Sequence, residues 1–304
     1  APLSTPTGSR STPSGATSSP PPPAPLTHAH VDGLAVTRRR PDHDGRPDHD
    51  VRADHDVVSD QEGATLAVVL VHGAMDRAAS FGRVMRRLGD LDVCAYDRRG
   101  YAASLDAGSA PTLDDQAEDL RWVCEWTQAA RVVVVGHSFG GTVAMRLAES
   151  TPPWLAAIGA FESPAPSLGS YRSDGADLAL AAGETGGPIA AAEAFYRLVV
   201  GDAVWDGLRE KDRHLRQAEG VQLVAEFLDL RRADGAPNLA AVLLPVVVGV
   251  GSDSVPEWKA SAHELADTLS GSSLVEIPGA GHGAHLTHAD EFARFVRTCV
   301  AAAG

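Results

Sequence analysis

At 304 residues, 44% hydrophobic and 22% charged, the chain has the length and composition of one large α/β domain or two modest ones, each with a sizeable core. A formal net charge of −14, with no basic stripe interleaved with aromatics, sets nucleic-acid binding aside, and no run reaches the ~18 apolar residues of a membrane span. The 3 cysteines, Cys94, Cys124 and Cys299, are scattered and form no CxxC pair, which argues against a disulfide framework or structural zinc and for buried thiols.

Residues 1–62 read as a low-complexity N-terminal tail. Its first 27 residues are rich in Pro, Ser, Thr and Gly and carry almost nothing that could offset the entropy of ordering, so disorder is expected. HVDGLAVTRR at 30–39 could supply an early strand. Residues 41–56 repeat Asp-His-Asp, placing His43, His49 and His55 between carboxylates. Such a tract offers ligands to a divalent ion, but a hexad repeat gives no rigid frame, and a polar insertion is the simpler reading. The N-terminus lacks the basic-then-apolar order of a signal peptide, so a cytoplasmic location is the default expectation.

From residue 63 the pattern alternates. Strands are predicted at 66–71, 91–97, 131–136, 155–162, 245–251 and 273–278. Between them lie helical patterns at 79–90, 112–130, 139–150, 259–269 and 289–301. Thr112 and Asp115 form a capping-box pattern ahead of the second helix. Continuous Val/Leu/Ile strands separated by helices imply a mostly parallel sheet covered on both faces. The stretch 164–236 has no convincing strand. Its helical patterns at 189–200, 205–217 and 220–232 read as a small cap, dividing the core into 63–163 and 237–304.

The most informative run is VVVVGHSFGG at 132–141, which contains Gly136-His137-Ser138-Phe139-Gly140. G-x-S-x-G alone is short, and Ser138 could be an ordinary N-cap. Its setting, a buried strand running in and an apolar-faced helix running out, is what a nucleophile elbow needs. Here the sequence resembles the α/β-hydrolase family over about 63–163 and 237–304. The resemblance implies a doubly wound, mostly parallel sheet with a small helical cap, and a triad in the chain order Ser, acid, His.

A serine hydroxyl needs a base, and 12 histidines are present. His282, in the glycine-rich run after the last predicted strand, stands at the family's position; His285 is the alternative and His288 a cap or surface residue. His137, inside the elbow, reads as packing. For the acid, Asp253 after the strand at 245–251 is preferred, and Glu162 at the end of 155–162 is its rival. The oxyanion hole is expected from the N–H of Phe139 and of Ala74, with Met75 behind it, because His72-Gly73 resembles the family's oxyanion loop. His72 would hold that loop. Asp97 and Arg99, in a run similar to the family's D-x-R-G-x-G-x-S, read as scaffold.

The expected function is a serine hydrolase that cleaves an ester-like bond of a small, partly apolar substrate by two-step acyl transfer, with neither metal nor organic cofactor. A cofactor-free perhydrolase and a non-catalytic ligand-binding protein of the same fold are the alternatives. The partner is a small molecule rather than nucleic acid or membrane; oligomeric state is left open.

Overall fold

The computed structural model describes residues 26–41 and 65–304. The tail up to residue 25 and the histidines of the Asp-His-Asp repeat lie outside the described residues. The described chain opens with a hairpin, β1 (Thr27–Val31) and β2 (Leu34–Arg39). Where one early strand was expected there are two. Asp32 and Gly33 both take positive φ, 48° and 80°, which is the backbone of a two-residue hairpin turn and explains the Asp-Gly pair.

The core then follows as β3 (Leu66–Val71), α1 (Gly82–Arg87), β4 (Asp92–Tyr96), α2 (Leu113–Trp126), β5 (Arg131–His137), α3 (Phe139–Ala148) and β6 (Leu155–Phe161). The Thr112–Asp115 capping box is present at the start of α2. Four helices come next: α4 (Asp174–Val200), α5 (Asp202–Gly207), α6 (Glu210–Ala218) and α7 (Gly220–Leu230). The chain closes with β7 (Val246–Gly251), α8 (Pro256–Thr268), β8 (Ser273–Ile277), α9 (Ala284–Thr287) and α10 (Ala289–Ala302).

The eight strands form one sheet in the order β1-β2-β4-β3-β5-β6-β7-β8. β2 pairs antiparallel with both β1 and β4, and every other neighbouring pair is parallel. Alternate residues of each strand face opposite layers. Val69 and Val134 pack under α2, α3 and α8; Val68 and Val133 pack under α1 and α10. Both faces are covered, which is why the strands read as unbroken apolar runs. From β3 the chain moves to β4 on one side and returns to β5 on the other. The carboxyl ends of β3 and β5 therefore flank the switch point, where open α/β sheets bind ligands.

Helices α4–α7 rest on this end through a separate apolar cluster that joins Ala179, Leu180, Leu223 and Phe227 to Met75 and Tyr101 of the core loops. Helix α4 starts earlier than its apolar pattern suggests and is broken at Gly187 (φ 71°), just before Pro188. Its first half, DGADLALAAGETG, is too rich in small residues to show a clear stripe. The pattern at 205–217 resolves into two short helices, because α5 ends at Gly207.

Candidate active site

Ser138 lies between β5 and α3 with φ 53° and ψ −129°, a left-handed conformation that non-glycine residues rarely hold. Its neighbours must be glycine: a Cβ on Gly136 would sit 2.2 Å from Gly141 N, and one on Gly140 would sit 2.2 Å from Val71 O. The turn is fixed by Ser138 N–H donating to Phe161 O at 2.8 Å. Its carbonyl accepts from Gly141 N–H at 2.9 Å, not from a capping side-chain bond. Ser138 is thus an elbow residue held half-buried at the mouth of the switch point.

His282 follows β8 on the loop Gly279–Gly283. Its Nδ1 lies 2.8 Å from Glu162 Oε2. Glu162 is 1% exposed and also at positive φ (44°), and this twist at the end of β6 aims its side chain across the mouth of β7. Its other oxygen accepts from Gly251 N–H at 2.8 Å and from the Ser254 hydroxyl. Three donors therefore hold the carboxylate in place. The structure brings the rival acid, and not the preferred one, to His282. Asp253 is exposed, its carboxylate accepts from Ser252 Oγ at 2.9 Å, and it is not bonded to His282. The turn after β7 carries Asp253 outward and turns Ser254 inward to support Glu162.

The His282 ring stacks on Trp258 of α8, with centroids 4.8 Å apart. Its carbonyl accepts from His137 Nε2 at 2.7 Å, so the elbow residue beside the serine anchors the histidine loop. His285, the alternative base, is 2% exposed and turns to Asp76 Oδ2 at 3.1 Å.

The loop after β3 closes over the elbow: a Cβ on Gly73 would come 2.9 Å from Ser138 Cβ. Its frame is His72. His72 Nδ1–H donates to Gly73 O at 2.7 Å, and Nε2 accepts from Arg98 N–H at 2.9 Å. Burial, helped by the Arg98 charge, lowers the His72 pKa to about 3, so the ring is neutral as this pattern requires. Arg98 escaped the sequence reading. It is fully buried and donates to His72 O and Gly73 O at 3.0 and 3.1 Å. It also pairs with Glu226 of α7, at 2.5 Å, and with Gln116, at 2.9 Å. The only sequence signal was a second arginine beside Arg99. Asp97 accepts from Ala78 N–H and Ala103 N–H, and Arg99 clamps Asp119 of α2.

A serine held in a positive-φ turn between strand and helix, an imidazole bonded to a buried carboxylate and a glycine-bearing loop gather at the switch point. The model of the alpha/beta hydrolase family matches residues 68–295. The chain belongs to the α/β-hydrolase family. RutD of Variovorax paradoxus, named as a carbamate hydrolase, is 31% identical over 214 residues, covering 66% of this chain and 78% of RutD. Lipase LipV of Mycobacterium tuberculosis is 35% identical over 92 residues, 30% of this chain and 34% of LipV. The enol-lactonase of Burkholderia xenovorans superposes with a TM-score of 0.64 at 20% identity, covering 90% of this chain and 100% of the lactonase. This α/β-hydrolase is an enzyme of that family, and no helix among its described residues is long and apolar enough to cross a membrane.

Proposed function

We propose that this α/β-hydrolase cleaves an ester-like acyl bond of a small, partly apolar substrate by two-step acyl transfer, with Ser138 as nucleophile, His282 as general base and Glu162 as the acid. The observation that carries the reading is the bond between His282 Nδ1 and the buried Glu162 carboxylate, on a loop that His137 ties to the serine turn. Nδ1–H donates to Glu162, which leaves the Nε2 lone pair to take the Ser138 proton as the hydroxyl attacks. The carboxylate also stabilises the imidazolium that forms. Negative charge on the substrate oxygen is met by the Phe139 N–H, which has no intrahelical partner in the first turn of α3, and by the Ala74 N–H. His282 returns the proton to the leaving group, and water repeats the sequence on the acyl-enzyme.

The similar proteins are named for a carbamate and an enol-lactone, and both kinds of molecule carry an acyl carbon. They support an acyl substrate without fixing the bond. The test is labelling by a fluorophosphonate together with turnover of a panel of short acyl esters, lactones and carbamates. Wild type labels and turns over at least one class, and Ser138→Ala does neither. An unlabelled wild type would favour a ligand-binding protein of the same fold.

A further inference from the structure

Beside the nucleophile lies a trio of side chains that acyl transfer does not use. Asp76 comes from the loop after β3, His137 from the elbow and His285 from α9, and one donor atom of each lies within 4.8 Å of the other two. The proton of His137 can be placed: its Nε2 sits 2.7 Å from the His282 carbonyl, which only accepts, so Nε2 carries the proton and Nδ1 is a bare lone pair. His285 turns its Nε2 to the Asp76 carboxylate at 3.1 Å, so Nε2 is the atom that an ion beside Asp76 would meet, taking the place of the proton between them.

Both Nδ1 atoms are buried and have no hydrogen-bond partner among the described residues. The two rings lie 4.2 Å apart between centroids, and a Cβ on Gly73 would be 3.4 Å from His137 Nδ1, so that nitrogen faces the loop bearing Asp76. Buried lone pairs without a donor are costly. A carboxylate and two imidazoles together are a donor set that a cation can satisfy at once. Nitrogen and oxygen ligands of this kind suit a borderline first-row ion at roughly 2.0–2.2 Å, with neighbouring tetrahedral ligands roughly 3.3 Å apart. The 3.1 Å from Asp76 to His285 is already near that edge.

We propose that Asp76, His137 and His285 form a binding site for a divalent ion of the Zn²⁺ class, with its remaining position open to water. Asp76 lies on the loop after β3, His137 ends β5 beside Ser138, and His285 lies in α9 directly after the loop that carries His282. An ion there pins these three segments to one another, so it stabilises the native core whatever the reaction.

The test is thermal unfolding of the full chain, stripped with EDTA, before and after excess Zn²⁺. Wild type should gain about 5 °C in Tm. Asp76→Asn should lose the gain. So should His285→Phe, whose ring keeps the packing beside Phe81 and Phe292. Each variant is referred to its own metal-free Tm, so a lower starting stability does not obscure the result. The Asp-His-Asp repeat is a competing source of ligands, and a chain with His43, His49 and His55 changed to Asn should keep the whole gain. No Zn²⁺-dependent rise in wild type, an equal rise in Asp76→Asn and His285→Phe, or loss of the rise in the repeat variant would each overturn the site.

Discussion

Ser138 and Glu162 are both held at positive φ, 53° and 44°, a conformation that costs of order 1–3 kcal/mol for a residue with a side chain. Each sits at the carboxyl end of a parallel strand, and they face the same crevice. The twist at Glu162 turns the longer of the two candidate acids across to His282, where Gly251 and Ser254 also hold it. Asp253 has a shorter side chain on an exposed turn. Glu162→Gln should therefore lower kcat by about 10³–10⁴-fold, because an amide cannot fix the Nδ1–H tautomer or stabilise the imidazolium. Asp253→Asn should stay within about threefold of wild type. The comparison is one of steady-state kcat on any ester that the wild type turns over, and the reverse ranking would return the role to Asp253.

Besides its apolar contacts, helix α7 reaches the loop after β3 through a buried ion pair. Arg98 and Glu226 are 0% and 1% exposed, and the guanidinium passes the contact on to the carbonyls of His72 and Gly73. Tyr101 donates to the same glutamate at 2.7 Å. Glu226→Gln leaves a buried arginine without its counter-charge, which should destabilise the fold by about 3 kcal/mol in urea unfolding. Loss of register in the loop should also lower kcat at least about tenfold, since oxyanion donors act only when well placed. A stability loss with unchanged kcat would show that the pair holds the cap alone. At the opposite edge of the sheet, the β1–β2 hairpin buries Leu34 and Val36 and ties Arg38 to Asp92 through two hydrogen bonds. Truncation before Thr65 strips these contacts from β4. It should remove more than about 3 kcal/mol of stability, read as a lower urea midpoint.

Across the whole molecule, buried titratable groups set a pH optimum for stability. Burial lowers the His72 pKa to about 3 and drives that of His137, which also neighbours His285, well below its ordinary value. Below pH 6.5 the unfolded chain binds protons that these rings refuse, so stability falls as pH drops from there toward 3. Burial pushes the Glu219 carboxyl up to about 8 despite Arg77 beside it. Between 4.5 and 8 the folded state therefore holds the extra proton, and stability falls as pH rises through that window. Of these three groups, the two histidines outweigh the glutamate below 6.5, and the glutamate dominates above it. Urea unfolding at pH 5, 6.5 and 8 should show a maximum near 6.5, with slopes up to about 1.4 kcal/mol per pH unit for each group. Glu219→Gln should flatten the alkaline side. A steady rise from 6.5 to 8 would contradict this account.

What the sequence determined by itself was whatever is encoded locally. Apolar runs of strand length define the layers of the sheet, and glycines on both sides of Ser138 mark a turn too tight for side chains. The glycine run that carries His282 is equally local, being the stretch that directly follows the last strand. Only tertiary structure decided which acid meets His282, which side chain links the cap to the loop after β3, and that Asp76, His137 and His285 converge. Each of these depends on the direction a side chain takes after a strand ends, over separations of roughly a hundred residues. Backbone twists and neighbouring strands set that direction, and no periodicity in the chain records it.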